Sequence, residues 1–150
     1  MDGTSARVMT KVLVIEDDNV VRDVIMRLLY RRGYDVVEAA FGQDGCSKAV
    51  SERPQIILLD LMMPVMDGFA VLRKLKSNPA TISIPVIILT AKIDAESERR
   101  CMRDGALDYI HKPWGPGEIE DRIAIALGYR EPPPRNYGPV SFRANLEARE

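Results

Sequence analysis

The chain has 150 residues, 46% hydrophobic and 29% charged, with a formal net charge of -1. That is one globular domain with enough residues for a real core, and its near-neutral balance gives no general pull toward nucleic acid or anionic lipid. There is no apolar run approaching about 18 residues, no signal-like leader and no cysteine beyond Cys46 and Cys101. A membrane span, a disulfide framework and a cysteine metal site are thereby excluded, and a cytoplasmic protein with reduced thiols is expected.

Residues 1–10 are polar and mixed and read as an N-terminal leader. Lys11-Val12-Leu13-Val14-Ile15 is a short apolar run that suits a strand buried on both faces of a parallel sheet, and it ends in Glu16-Asp17-Asp18. Asp18 or Asn19 can cap the following helix, where Val20, Val21, Val24, Ile25, Leu28 and Leu29 recur at helical spacing until Gly33 stops it. Residues 34–39 read as a second strand and Phe41-Gly42 as the turn after it. A short helix over 43–52 ends ahead of Pro54. The branched run from Gln55 then carries the central strand to Asp60, after which Pro64 and Asp67-Gly68 break the strand and start a helix over 67–76 with Phe69, Leu72 and Leu75 inward.

The fourth strand, 84–89, is closed by Thr90-Ala91-Lys92. A charge-laced helix over 94–103 ends at Gly105, and a short strand at 107–110 leads to His111-Lys112-Pro113. Alternation turns His111 to the face opposite Lys112, where it is expected to be solvated. Pro116 suits the start of the last helix, whose apolar stripe is Ile119, Ile123, Ala126 and Leu127. Beyond Gly128 the composition changes, and Pro132-Pro133-Pro134 with Pro139 marks 129–150 as a Pro-rich tail or linker.

Strands alternating with helices imply an α/β fold: a doubly wound five-stranded parallel sheet with five helices on its two faces. Four strands finish in reactive residues, namely Glu16 and Asp17, Asp60, Thr90, and Lys112. The second strand ends in none, which fits an edge position and the order 2-1-3-4-5. In a parallel sheet all carboxyl ends share one edge, so these side chains converge. Carboxylates packed at about 4 Å repel by roughly 4 kcal/mol per pair at an effective dielectric near 20. Such a group raises a pKa, takes up a cation, or both. An all-oxygen site suits Mg²⁺ better than zinc. Asp60 would then be a nucleophile forming an acyl phosphate, with Lys112 and the Thr90 hydroxyl on phosphoryl oxygens.

Across about residues 11–128 these stretches resemble the receiver domain of two-component response regulators, a flavodoxin-like, chemotaxis-regulator-like fold. Val14-Ile15-Glu16-Asp17-Asp18 is similar to its acidic-pair motif, and Leu58 through Gly68 to its phosphoacceptor loop. Leu89-Thr90-Ala91 and His111-Lys112-Pro113 match its threonine and lysine motifs. The resemblance implies phosphoryl transfer from a sensor histidine kinase or phosphotransfer protein onto Asp60. It implies Mg²⁺ held by Glu16, Asp17, Asp60 and the Met62 carbonyl, phosphate held by Thr90, Ala91 and Lys112, a cis bond before Pro113, and Thr90 with Tyr109 as the switch pair. It also implies that the face made by helix 94–103, strand 107–110 and helix 116–127 docks a partner or a second copy.

The expected protein is thus a signalling switch, catalysing only its own phosphorylation and slow dephosphorylation, with no direct nucleic-acid binding and no membrane contact. The resemblance implies that the positions of Met62 and Lys92 influence hydrolysis of the phospho-aspartate, and since a Met cannot orient an attacking water, a phosphate lifetime of minutes or longer is expected. Trp114, the only tryptophan, is expected to pack at the start of the last helix. Three alternatives stand beside this reading. One is a receiver fragment of a longer regulator whose output domain is a transcription factor or a cyclic-nucleotide enzyme. Another is an aspartyl-phosphate phosphatase, disfavoured because Met62 stands where a second acid is needed. The third is a receiver-like module that binds without phosphorylation, which the complete acid, threonine and lysine set opposes.

Overall fold

The computed structural model describes residues 9–129, so all but the last two residues of the expected leader (1–10) and all but the first residue of the Pro-rich tail (129–150) lie outside the described residues. Five strands, β1 (Lys11–Ile15), β2 (Asp35–Ala39), β3 (Ile56–Leu59), β4 (Val86–Thr90) and β5 (Asp108–His111), alternate with five helices, α1 (Asn19–Arg31), α2 (Gly42–Ser51), α3 (Gly68–Ser77), α4 (Ala95–Arg103) and α5 (Glu118–Ala126). The strands form one parallel sheet in the order β2-β1-β3-β4-β5. This is the flavodoxin-like doubly wound arrangement expected from the strand ends.

The unbroken apolar strands are needed because the sheet is covered on both sides. Leu13, Ile15, Ile57, Leu59 and Ile88 face one core with Phe69, Leu72, Leu75 and Cys101 from the helices. Val12, Val14, Leu58, Ile87, Leu89 and Ile110 face the other with Ile25, Leu29, Ile119 and Ile123. Trp114 packs against this second core, as expected. Gly45 lets α2 lie on β1: a Cβ there would stand 2.6 Å from Ile15 Cδ1.

Several boundaries move for identifiable reasons. Asp67 and Asp94 are N-caps rather than first helical residues, each accepting from a backbone amide three residues on, Ala70 and Ser97. The last helix begins at Glu118, not Pro116. Gly117 takes a left-handed φ of 75°, and the Glu118 carboxylate turns back to accept from the Gly115 amide at 2.9 Å. In α1 the buried stripe narrows to Ile25 and Leu29, with Val20 and Val24 rotated out to water.

His111 corrects a further expectation. It does alternate away from Lys112, but the face it turns to is roofed by α4 rather than open to water, and it is 4% exposed. At the opposite end of the sheet, Thr10 and Tyr129 share a hydrogen bond between their hydroxyls, joining the start of β1 to the chain just past α5.

Candidate functional site

The carboxyl edge of the sheet carries the site. Parallel pairing puts Ile15 beside Leu59, and the Asp60 amide donates to the Ile15 carbonyl at 3.1 Å. Asp60 and Glu16 therefore leave adjacent strands at the same level. Glu16 is 2% exposed and Asp60 5%, whereas Asp17 is the most open to water of the three acids. One oxygen from each of Glu16, Asp17 and Asp60 lies within 4.8 Å of the others, the one such acidic, histidine or cysteine triad among the described residues.

Lys112 arrives from the far end of β5 and points its ammonium into the acids, with Nζ 2.7 Å from Glu16 Oε1 and 3.3 Å from Asp60 Oδ2. The Lys112–Pro113 peptide is cis. Burial pushes the Glu16 carboxyl up to about 7; its bond to Lys112 opposes that rise and the Asp60 charge adds to it. Burial works against charge on Lys112, but the hydrogen bond to Glu16 and the field of Asp60 outweigh it and leave its proton affinity raised.

The backbone around Asp60 is held by its own loop. The Met62 amide donates to Asp60 Oδ1 at 3.2 Å, while the Met62 side chain faces solvent. The Gly68 amide donates to the Leu61 carbonyl at 2.9 Å, and a Cβ on Gly68 would lie 2.3 Å from the Asp60 carbonyl oxygen. Val65, at the tip, takes a φ of 68°.

Thr90 is fully buried at the end of β4, and its Oγ1 accepts from the Lys92 amide at 3.2 Å. Tyr109 is turned inward, 2% exposed, with its hydroxyl donating to the Lys92 carbonyl at 2.5 Å. Burial and nearby negative charge push the Tyr109 phenol far up, so the hydroxyl keeps the proton it donates to Lys92. Glu16, Asp17, Asp60 and Lys112 are thus brought into one cluster, and Thr90 and Tyr109 are linked through the two backbone groups of Lys92.

Some contributors carried no sequence signal. Arg22 reaches back from α1 so that Nη1 holds the Glu16 carbonyl at 2.7 Å and Nε holds Glu38 at 2.8 Å, bracing the acidic turn. In the sequence it reads only as one more polar-face arginine. The roles of Gly68 and Val65 depend on backbone geometry that a turn signal alone does not specify.

The chain that carries this edge has relatives among known proteins. The family model for the response regulator receiver domain matches residues 12–124. The probable transcriptional regulator ycf27 of Porphyridium aerugineum is 39% identical over 117 residues, 78% of this chain and 48% of that protein. The phosphate regulon transcriptional regulatory protein PhoB of Pseudomonas aeruginosa is 34% identical over 136 residues, 91% of this chain and 56% of that protein. The chain spans about half the length of the curated relatives it matches.

Among solved structures, Vibrio cholerae chemotaxis protein CheY4 superposes with a TM-score of 0.75 at 28% identity, over 79% of this chain and 98% of that one. The receiver domain of sensor histidine kinase PA1611 from Pseudomonas aeruginosa, solved with a magnesium ion coordinated in its active site cleft, gives 0.74 at 29% identity over 81% of this chain and 99% of that one. Motif, topology, strand-end chemistry and these likenesses agree, and the chain belongs to the response regulator receiver domain family of two-component systems.

Proposed function

We propose that the chain accepts a phosphoryl group on Asp60 from the phosphohistidine of a sensor histidine kinase or phosphotransfer protein, and that this shifts a balance between two conformations. The observation that carries the reading is the approach of the Lys112 ammonium to both Glu16 and Asp60 within a three-acid cluster. In the transfer, an Asp60 carboxylate oxygen forms the new bond to phosphorus as the phosphorus–nitrogen bond breaks, and the electron pair leaves with the donor imidazole.

The donor set fits Mg²⁺, being three carboxylates with oxygens within 4.8 Å of one another and no nitrogen or sulfur among them. Glu16, Asp17, Asp60 and the Met62 carbonyl would hold the ion. When bound it offsets the charge of the acids and of the incoming phosphoryl group. The relative PA1611 carries magnesium in its own cleft, which supports the assignment. Lys112 takes a phosphoryl oxygen as a point charge, and the Thr90 hydroxyl with the Ala91 backbone takes another.

To reach it, Thr90 must give up the Lys92 amide, which disturbs the same residue whose carbonyl holds Tyr109. That shared residue is the route by which the acceptor site biases the tyrosine and the face built from residues 94–103, 107–110 and 116–127. A groove of about 580 Å³ along α4, lined by Ala95, Glu98, Arg99, Met102 and Arg103, lies on that face and suits a partner or a second copy. The ycf27, PhoB and RpaA relatives are named as transcriptional regulators. Control of an output module of that kind, attached or separate, is therefore a second reading of what the switch governs.

Intact mass after incubation with acetyl phosphate and Mg²⁺ tests the acceptor, with Asp60→Ala alongside. A gain of one phosphoryl unit in the wild type alone is expected, decaying over minutes or longer because Met62 cannot orient a water. An equal gain in Asp60→Ala would reject Asp60 as acceptor, and decay within seconds would reject the slow-hydrolysis expectation.

A further inference from the structure

The acceptor chemistry makes no use of the buried His111 side chain. His111 is the only histidine of the chain, and it ends β5 in register with Thr90. Its ring meets the Tyr109 ring edge-on, with centroids 5.2 Å apart and an interplanar angle of 74°. Its Nε2 stands 3.6 Å from Glu98 Oε1 on α4. One side chain thus touches the inward tyrosine and faces a carboxylate on the helix packed above it.

That 3.6 Å is too long for a good hydrogen bond but short enough for strong charge attraction, and closing by a few tenths of an ångström would make a charge-assisted bond. Glu98 has the freedom to close it, because its side chain is 41% exposed. A carboxylate at this distance attracts an imidazolium, so protonation of His111 and its approach to Glu98 are coupled. The groups whose charge bears on the Tyr109 phenol are Cys101 and Glu98 on α4, Asp94 in the loop before it, and Asp60 at the sheet edge. Lys92 and Asp94 pair with each other at 3.5 Å, and the Lys112 ammonium is engaged by Glu16 and Asp60.

We propose that His111 is a positioning residue for the switch: on protonation it pairs with Glu98, clamps α4 to β5 and holds Tyr109 inward. Acceptor-site occupancy and pH then act on one conformational balance. The inference rests on the Thr90–Tyr109 switching proposed above. Coupling is reciprocal, so anything that favours inward Tyr109 must also raise the proton affinity of His111.

A single histidine gives a single imidazole signal in NMR, which can be titrated in the intact chain. Glu98→Gln is a partly exposed substitution that leaves the acids, Lys112 and Thr90 in place. It is expected to lower the His111 midpoint by about one pH unit. Beryllofluoride with Mg²⁺, detected by Trp114 fluorescence, is expected to raise the midpoint in the wild type and not in Glu98→Gln. The wild-type to Glu98→Gln ratio of beryllofluoride affinities should be several-fold larger at pH 6 than at pH 8. Titration of Glu16 is common to both proteins and cancels in that ratio. An unchanged midpoint in Glu98→Gln, or a pH-independent ratio with normal beryllofluoride binding, would overturn the clamp alone. Absence of any beryllofluoride binding would instead strike the acceptor reading and the coupling together.

Discussion

Val65 spends conformational energy at the rim of the acceptor loop. A β-branched residue at a φ of 68° crowds its Cβ against the backbone, and at 109% relative exposure it has no packing among the described residues to compensate. Asn tolerates this region far better, so Val65→Asn should raise stability by about 1 kcal/mol without loss of a core contact. Urea unfolding of the two proteins checks this, and a loss of stability would mean that the Val65 side chain has a partner its exposure does not reveal. The sequence shows a break between Pro64 and Asp67-Gly68, but which loop residue adopts the left-handed conformation is set by closure of the loop onto Leu61. The burial of His111 was hidden for a related reason: alternation gives the face, and only the position of α4 says whether that face is wet.

Among the elements, the joint between β3 and α3 constrains the site most tightly. The first residue of α3 comes against the backbone of the strand end, and an added Cβ on Gly68 would stand 2.3 Å from the Asp60 carbonyl oxygen and 2.5 Å from Leu61 Cα. Backbone cannot yield as a flexible side chain can. Gly68→Ala should therefore cost a few kcal/mol and displace the loop that supplies the Met62 amide to Asp60. Phosphoryl acceptance from acetyl phosphate should fall in the same variant. Normal acceptance and stability would show that the loop can shift freely. Helix and strand identities were legible throughout from apolar period and caps, whereas starts moved by one or two residues where Asp67, Asp94 and Gly117 act as caps. A cap and a first helical residue look alike in sequence, because the same side chains favour both ends of the first turn.

For the whole molecule, the cost of gathering the acids at one edge should appear as a pH-dependent stability. The Glu16 carboxyl sits at about 7 in the fold against an ordinary 4.5, chiefly through burial. Between those values the folded chain binds more protons than the unfolded one. The stabilisation from protonated Glu16 is thus complete below about pH 4.5 and is lost as pH rises through about 7. With Mg²⁺ removed by a chelator, the wild type should lose up to about 3 kcal/mol across that window relative to Glu16→Gln. Added Mg²⁺ should recover stability above pH 7, by about 2.7 kcal/mol at a hundredfold excess over its Kd. Urea unfolding from pH 5 to 8 measures both effects, and parallel pH profiles in the two proteins would remove Glu16 as the cause.

The residue types at the strand ends, the alternation of buried strands with amphipathic helices, and the 2-1-3-4-5 order were all determined by the sequence. Each follows from local chemistry and from the rule that parallel strands end on one edge. Tertiary structure alone decided the rest. It set the Lys112 ammonium 2.7 Å from Glu16, braced the acidic turn with Arg22, turned Tyr109 inward onto Lys92 and roofed His111 with Glu98. These are contacts between elements far apart in the chain, and they depend on packing distances and helix positions that no local pattern encodes.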